Sequence, residues 1–296
     1  MSFEHIVYEQ QGRVATITLN RPDRLNAIAS GMPREIARAV DMANEDDGVH
    51  VIVLTGAGRA FCAGYDLKDF AEAPAGNRGT GVPAGDPRPW DPPWDPMVDF
   101  NMMFANTKDF MSLWRSHKPT IAKVRGFAVA GGSDIALCCD MVVMADDAKI
   151  GYPPARVWGC PTTAMWVYRL GPERAKRMLF TGDFVSGAEA AEMGLILEAV
   201  PEAELDARVE ALAARMAGVP RNQLMMQKLL VNQAYENMGL QTTQMFATLF
   251  DGITRHSPEG VWFKQRAEEV GFQQAVKERD GGGPIAEGIS RSTYKF

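Results

Sequence analysis

KPTIAKVRGFAVAGGSDIALCCD, residues 118–140, changes its hydrophobic pattern midway. The apolar residues of its first half are largely β-branched or aromatic, which is typical of a buried strand. Its second half is an apolar run of good helix formers. Between the two halves, Gly131 and Gly132 allow the backbone to come close to a ligand. The pattern therefore predicts a buried strand over residues 121–129, then a glycine-rich turn and a helix.

The same turn is a candidate site for chemistry. A helix that begins there leaves its first N–H groups without acceptors inside the helix. These donors, aided by the helix dipole, suit a carbonyl oxygen that becomes negative during a reaction. The alternative is an ordinary strand-to-helix turn in which Ser133 or Asp134 caps the helix. This stretch alone leaves both interpretations open.

Composition and charge argue against several classes of protein. The chain has 296 residues, 46% of them hydrophobic, which is enough for one large domain or a domain with an appendage. The formal net charge of −6 gives no reason to expect nucleic acid or an anionic membrane as a partner, because both are bound through clustered Lys and Arg. The sequence contains neither a long apolar run nor a secretory signal, so we expect a cytoplasmic protein.

The cysteines give no sign of a metal site. Cys62, Cys138, Cys139 and Cys160 lie in apolar surroundings, without the paired spacing of zinc ligands. We expect reduced and mostly buried thiols.

Strands and helices alternate along the first two thirds of the chain. Residues 7–9 and 14–19 predict a hairpin, residues 32–44 a helix and residues 49–54 a buried strand. A strand, a helix and a strand in this order indicate the right-handed crossover of an α/β fold. The remaining predictions are a helix over 98–116, a strand over 141–145, a loop over 150–163, helices over 164–170, 172–180 and 187–193, and a strand over 195–200.

The C-terminal third is helical. Its amphipathic patterns predict helices over residues 203–216, 221–237, 241–254 and 258–277. We therefore divide the chain into a core over residues 1–201, a helical subdomain over 202–280 and a tail over 281–296, which we expect to be extended or poorly ordered.

An insertion over residues 71–97 interrupts the core. It is rich in Pro, Gly and Asp, and Trp90 and Trp94 lie near its end. A loop of this length is either an ordered segment packed near a cleft or an exposed proline-rich arm.

A second glycine-rich stretch, TGAGRAFCAGYDL at residues 55–67, follows a predicted strand. Gly56 and Gly58 match the start of a dinucleotide-binding fingerprint, but Phe61 stands where the third glycine belongs. No acidic residue ends a following strand at the usual distance. A nucleotide site is therefore disfavoured.

Four segments together resemble the crotonase superfamily of enoyl-CoA hydratases and isomerases. They are NRPDRLNAI at 20–28, TGAGRAFCAGYDL at 55–67, the stretch 118–140 and EAAEMGLI at 189–196. The resemblance implies a spiral of ββα units that carries an acyl-CoA site. It also implies C-terminal helices that form a homotrimer or a dimer of trimers. No cofactor is implied, because coenzyme A is part of the substrate.

The resemblance also implies roles for individual residues. The backbone N–H groups of Tyr65 and Gly131 would polarise the thioester carbonyl, and Asp134 would be catalytic. The remaining implied residues contact the acyl-CoA, and they are Arg24, Asn26, Ala27, Ile28, Ala63, Asp66 and Gly132. Two of these have simpler alternatives, since Arg24 is also explained as a solvated arginine and Asp66 as a helix cap.

One position departs from the family pattern. Hydratases of this family use two glutamates, and Asp134 stands at the first of them. Pro154 or Ala155 stands at the second, where neither can transfer a proton. The missing group argues against ordinary hydratase activity.

Three residues are candidates to replace the missing acid, namely His117, Tyr152 and Arg156. Asp134 itself is expected to have a raised pKa beside a dry pocket and to move protons next to the carbonyl, or else to be a plain helix-start residue. Asp140 is expected to be structural. The sequence thus predicts an acyl-CoA enzyme that stabilises an enolate. The alternatives are a catalytically silent acyl-CoA-binding homologue and an isomerase or lyase that uses the same enolate.

Overall fold

The computed structural model describes residues 3–68, 71 and 95–281. The predictions for the insertion therefore lie largely outside the described residues, including those for Trp90 and Trp94. The same holds for the predicted tail from residue 282 onward.

The fold contains two β-sheets. The strands are β1 (Ile6–Gln11), β2 (Val14–Leu19), β3 (Val51–Gly56), β4 (Thr120–Val124), β5 (Phe127–Val129), β6 (Met141–Ala145), β7 (Lys149–Gly151), β8 (Phe184–Ser186) and β9 (Glu198–Val200). Six of them form a sheet in the order β1-β2-β3-β4-β6-β9, and the other three form a sheet in the order β5-β7-β8. β1 and β2 make the predicted antiparallel hairpin, and β2, β3, β4, β6 and β9 are parallel.

Helices fill the connections and the C-terminal third. They are α1 (Met32–Glu45), α2 (Pro96–Phe110), α3 (Ser112–Arg115), α4 (Gly131–Leu137), α5 (Met165–Leu170), α6 (Pro172–Thr181), α7 (Gly187–Glu192), α8 (Glu202–Ala217), α9 (Arg221–Asn237), α10 (Leu240–His256), α11 (Pro258–Val270) and α12 (Phe272–Asp280). The predicted α/β class is confirmed, with α1 connecting the parallel strands β2 and β3.

The prediction of one strand over residues 121–129 was wrong. The chain turns at Gly126, which has φ +63°, and a Cβ at this position would lie 2.0 Å from the carbonyl oxygen of Arg59. β4 therefore ends before the turn, and β5 pairs with β7 in the second sheet. The sequence analysis also did not predict β8, and it assigned most of β7 to a loop.

Two helices are divided where single helices were predicted. The segment 98–116 forms α2 and α3, which meet at Met111. The segment 258–277 is broken at Gly271, whose φ of +81° ends α11 and begins α12. A positive φ of this kind interrupts a helix and favours glycine.

The central sheet is covered by helices on the C-terminal side of residue 201 as well. α8 buries Leu205, Val209, Ala213 and Ala217 at helical spacing, and these side chains belong to the main hydrophobic core. α8 therefore packs as part of the core, while the proposed division of the chain at residue 201 remains a prediction.

A buried lysine attaches α9 to the rest of the fold. Lys228 donates from Nζ to the carbonyl oxygens of Leu113 (2.9 Å) and Lys118 (3.1 Å). The same ammonium lies 2.8 Å from Asp140, whose carboxylate also accepts the N–H of Thr120. Asp140 thus has the structural contacts that were expected of it.

Two further features concern the chain as a whole. No helix in the described ranges is long and apolar enough to cross a membrane. Within those ranges there is also no group of three or more His, Cys, Asp or Glu side chains that could hold a metal ion. The four cysteines are free thiols, and Cys62, Cys138 and Cys139 are buried, as predicted.

Replacement of Lys228 by methionine is expected to lower the free energy of unfolding by about 3–5 kcal/mol, because it leaves Asp140 buried without its cation. Urea unfolding followed by circular dichroism measures the change. Lys123→Met is the matched control. Its partner Asp206 is half exposed and keeps Arg125, so the expected loss is below about 1 kcal/mol. Equal losses in the two variants contradict the anchoring role of Lys228.

Candidate active site

Two loops run side by side at the carboxyl ends of β3 and β4. The N–H of Cys62 donates to the carbonyl oxygen of Phe127 (2.8 Å), and the N–H of Val129 donates to the carbonyl oxygen of Cys62 (3.0 Å). These bonds pair Cys62 with Ala128 in parallel. Tyr65 and Gly131, the two predicted donors, follow this pair at the same distance along their chains.

Glycines allow the two loops to approach closely. Gly64 has φ +91°, and a Cβ there would lie 3.0 Å from the Cβ of Ala130 and 3.7 Å from the nitrogen of Gly131. A Cβ on Gly131 would lie 2.7 Å from Cδ1 of Ile28 and 2.9 Å from Cε2 of Tyr65. The ring of Tyr65 and the backbone of Gly64, the residue before it, therefore lie next to Gly131.

The backbone orientation of both donors follows from their bonding. The N–H of Ile28 donates to Gly64 and the N–H of Asp66 donates to Ile28, so the N–H of Tyr65 faces away from Ile28. Gly131 is the first residue of α4, where N–H groups have no acceptor inside the helix. Ala130, just before it, has φ +52°, a strained angle of the kind found at functional turns.

No side chain caps α4, because Ala130 occupies the N-cap position and makes no side-chain bond there. The interpretation of Ser133 or Asp134 as a cap is therefore wrong. The Ser133 hydroxyl donates instead to the carbonyl oxygen of Ala130 (2.6 Å).

Both donor residues open into one cavity of about 840 Å³. This volume suits a ligand of the size of an acyl chain with its pantetheine arm. Six of the predicted site residues line the cavity, namely Arg24, Ala27, Ala63, Tyr65, Asp66 and Gly131. Asn26, Ile28, Gly132 and Asp134 are not among its described lining residues.

Asn26 shapes the loop from behind the cavity wall. It is fully buried and donates from Nδ2 to the carbonyl oxygens of Ala57 and Ala60, both at 2.8 Å. Its Oδ1 accepts the N–H of Arg21. The guanidinium of Arg21 in turn lies 3.1 Å from the carboxylate of Asp66, so Asp66 also fixes the shape of this loop.

Gly132 is required by packing. A Cβ at this position would lie 2.3 Å from the carbonyl oxygen of Cys62 and 2.8 Å from its Cβ. The nearest of these is a backbone atom, which cannot rotate away. Gly132 therefore keeps the two loops together without touching the cavity.

Asp134 is buried next to the cavity. Its side chain is shielded from solvent, and Oδ1 accepts a hydrogen bond from the hydroxyl of Thr163 (2.7 Å). Burial raises the pKa of Asp134 to about 8, and the negative charge of Asp251 contributes to the rise. Asp134 is therefore able to hold or release a proton near neutral pH, as the sequence suggested.

Of the three candidates for the missing acid, only Tyr152 lines the cavity among the described residues. Its hydroxyl donates to the carbonyl oxygen of Cys160 (2.7 Å). His117 lies elsewhere, with its backbone N–H bound to Asn44. Arg156 donates from Nε to the carbonyl oxygen of Arg279 (2.8 Å).

The sequence analysis missed Asp251, a carboxylate of α10 that lines the cavity. It is 1% exposed, and it accepts the N–H of Cys160 (2.9 Å) and a bond from Nη2 of Arg255 (2.6 Å). Burial raises the pKa of Asp251, while Arg255 opposes the rise. The spacing of Asp251 and Arg255 on one helix face was the available signal, but it did not reveal where α10 packs.

Further polar residues surround this pair. Asp99 of α2 also lines the cavity, and its carboxylate lies 3.9 Å from Nη1 of Arg255. Nε2 of His256 lies 3.0 Å from the carboxylate of Asp99. The cavity thus gathers carboxylates from α2 and α10 near the two backbone donors.

The sequence and the structure are similar to those of known proteins. The family model described as enoyl-CoA hydratase/isomerase matches residues 9–83 and 99–266. Crotonyl-CoA hydratase of Syntrophomonas wolfei is 30% identical over 246 residues, which are 82% of this chain and 85% of that protein.

Two crystal structures agree with the fold over nearly all of both chains. An enoyl-CoA hydratase from Mycobacterium smegmatis has a TM-score of 0.86 and 48% identity, covering 95% of this chain and 94% of that chain. An enoyl-CoA hydratase/isomerase from Xanthobacter autotrophicus Py2 has a TM-score of 0.84 and 31% identity, covering 96% of this chain and 100% of that chain. This chain belongs to the enoyl-CoA hydratase/isomerase family, and its α/β architecture is the crotonase fold that the sequence predicted.

Proposed function

We propose that this protein binds an acyl-CoA thioester and stabilises its enolate with the backbone N–H groups of Tyr65 and Gly131. The observation that carries the proposal is the parallel pairing of Cys62 with Ala128, which brings the two donor residues to one cavity. A thioester enolate concentrates negative charge on one oxygen, and preorganised donors stabilise that charge. Loss of one such donor typically costs about 3–4 kcal/mol of transition-state stabilisation.

Asp134 is the group that moves a proton at the carbon next to the carbonyl. It follows Gly131 by about one turn along α4, so the two lie on the same face of the helix. Burial, together with the negative charge of Asp134, raises the pKa of Tyr152, which lines the cavity.

Basic residues of the cavity suit the phosphates of coenzyme A. They are Arg24, Arg59, Lys264 and Arg279. Cationic side chains form strong, charge-assisted bonds to phosphate oxygens.

A catalytically silent acyl-CoA-binding protein is the second candidate. It is favoured by one observation, namely that the carboxylate of Asp134 is not among the described lining residues of the cavity. An isomerase or lyase that uses the same enolate stays open as a variant of the first proposal.

An exposed apolar face supports self-association. α9, α10 and the turn between them expose Met226, Leu229, Leu230, Val231, Met238, Met245, Phe246, Leu249, Phe250 and Ile253. A contiguous group of exposed apolar side chains usually marks a contact surface. We place this face between copies of the chain in a homotrimer or a dimer of trimers.

The two-donor proposal predicts a red shift in the absorbance of a ring-bearing enoyl-CoA when it binds. Donors at Tyr65 and Gly131 polarise the thioester carbonyl and extend the charge separation of the conjugated system. Difference spectroscopy at saturating protein measures the shift, and the same acyl group on a short thiol without coenzyme A serves as the control. Tight binding without any shift contradicts the role of the two donors.

Asp134→Asn is expected to slow exchange of the α-protons of a saturated acyl-CoA with solvent deuterium by about 10²–10⁴-fold. Abstraction needs the ionised carboxylate. Since the pKa of the folded-state group is raised to about 8, wild-type exchange should rise with pH up to about 8 and then level off. Proton NMR measures the exchange.

Asp109→Asn is the control for that variant, because Asp109 is a buried carboxylate paired with Arg34 and is not among the described lining residues of the cavity. It should exchange at the wild-type rate. Undiminished exchange in Asp134→Asn removes Asp134 from the mechanism. Tight acyl-CoA binding by wild type with no exchange and no turnover favours the silent homologue.

Light scattering should give three or six times the 32.5 kDa mass of one chain. Leu230→Glu on α9 should shift the protein toward the monomer, because a charge in a buried apolar contact is costly. Phe180→Glu, at an exposed position of α6 outside this face, is the control and should leave the mass unchanged. A wild-type monomer contradicts the proposed assembly.

A further inference from the structure

We propose that Asp251, carried into the cavity by α10, is the second proton-transfer group of the site and takes the place of the acid that is missing at residues 154 and 155. This inference rests on the proposed function. It assigns a catalytic role to a residue in the C-terminal helices, outside every segment that carries the resemblance.

Asp251 lies beside the turn where the missing acid would stand. Gly159 lies between Pro154 and Asp251. A Cβ on Gly159 would be 2.9 Å from the Cβ of Pro154 and 3.3 Å from Oδ1 of Asp251. Pro154, Gly159 and Asp251 all line the cavity that contains Tyr65 and Gly131. A carboxylate on α10 therefore reaches the region that the proline leaves without an acid.

The carboxylate of Asp251 is held in one orientation. Oδ1 accepts the N–H of Cys160, and Oδ2 accepts a bond from Arg255. Two carboxylate oxygens offer about four acceptor positions, so these two bonds leave capacity for a water molecule. Asp251 is thus positioned before substrate arrives, which is a requirement for efficient proton transfer.

A purely structural ion pair explains this arrangement less well. Arg255 already faces Asp99, which lies 3.9 Å away, so one guanidinium meets two carboxylates. Burying a second acid costs desolvation energy, and an apolar residue would fill the same space at least as stably. A buried carboxylate in the wall of a cavity is better explained by chemistry.

The surroundings of the two acids separate their protonation states. Asp134 accepts only a neutral hydroxyl bond from Thr163 among its described contacts, and its pKa rises to about 8. Asp251 has a guanidinium partner that opposes the rise in its pKa caused by burial, and its negative charge raises the pKa of Asp134, so we assign the ionised state to Asp251 and the protonated state to Asp134. The titratable and charged groups facing Asp251 are Arg255 on α10, Asp99 on α2, Asp134 on α4, Tyr65, Tyr152 and Cys160.

Such a pair performs the addition of water to an enoyl thioester. The ionised Asp251 removes a proton from water while the oxygen bonds to the β-carbon. The π electrons move to the thioester oxygen, held by the N–H groups of Tyr65 and Gly131. The protonated Asp134 then gives its proton to the α-carbon as the carbonyl re-forms. Asp251 returns its proton to Asp134 through water, so one water molecule is added and both acids regain their starting states.

The test compares two reactions of the full-length protein. Asp251→Asn should lower kcat for hydration of enoyl-CoAs by about 10²–10⁴-fold with little change in KM. The same variant should exchange the α-protons of a saturated acyl-CoA within about threefold of wild type, because exchange uses Asp134 and not the water-activating group. Asp251→Glu should restore part of the hydration, and Asp109→Asn should behave as wild type.

Several results overturn the inference without touching the proposed function. The first is that Asp251→Asn hydrates enoyl-CoAs at the wild-type rate. The second is that this variant loses hydration and α-proton exchange to the same extent. The third is that the wild-type protein exchanges α-protons but hydrates no enoyl-CoA. Wild type that neither binds an acyl-CoA nor exchanges its protons instead rejects the proposed function itself.

Wild type alone provides a second test if Asp251→Asn does not fold. Hydration needs Asp251 ionised and Asp134 protonated, so its rate should fall at acid pH and again above about pH 8. A hydration rate that does not fall at acid pH contradicts a base at position 251.

Discussion

The pairing of Cys62 with Ala128 is the constraint on which the site depends. Two backbone hydrogen bonds align the loop after β3 with the strand that follows β4. The alignment is possible because β3 and β4 are parallel neighbours, and the carboxyl ends of parallel strands meet at one edge of a sheet. Gly132 lies directly against Cys62 and leaves no room for a side chain between them. Main-chain geometry alone therefore brings the two donor residues together.

α10 links the two acids to each other. Gln244 donates to the carbonyl oxygen of Thr163 (2.9 Å), and the hydroxyl of Thr163 donates to Asp134. One and two turns further along the same helix, Thr248 is buried and Asp251 reaches the cavity. The opposite face of α10 exposes Phe250 and Ile253, which belong to the proposed contact face. If copies of the chain assemble through that face, the contact would restrict the movement of α10 and thereby of both Asp134 and Asp251, although neither residue lies in the face.

The parts of the site that follow from local sequence were predictable. The glycines at 131 and 132 and the change of hydrophobic pattern around them indicated the turn and its donors. The turn at Gly126 was not predictable, because the Arg59 carbonyl oxygen that leaves room only for glycine comes from a distant segment. Asp251 was missed for the same kind of reason. Its sequence neighbours predict a helix, and only the packing of that helix shows that the carboxylate faces the cavity.

Gly159 explains how a carboxylate from the C-terminal helices can enter this cavity. A Cβ there would lie 2.9 Å from the Cβ of Pro154 and 3.3 Å from Oδ1 of Asp251, which is too close for both. Glycine leaves that space to Asp251. Pro154 occupies the turn with an apolar ring that has no proton to transfer. The backbone donors are unaffected by these side chains. Under the proposed function, the groups that stabilise the enolate would belong to the main chain, and the second acid would come from a different helix.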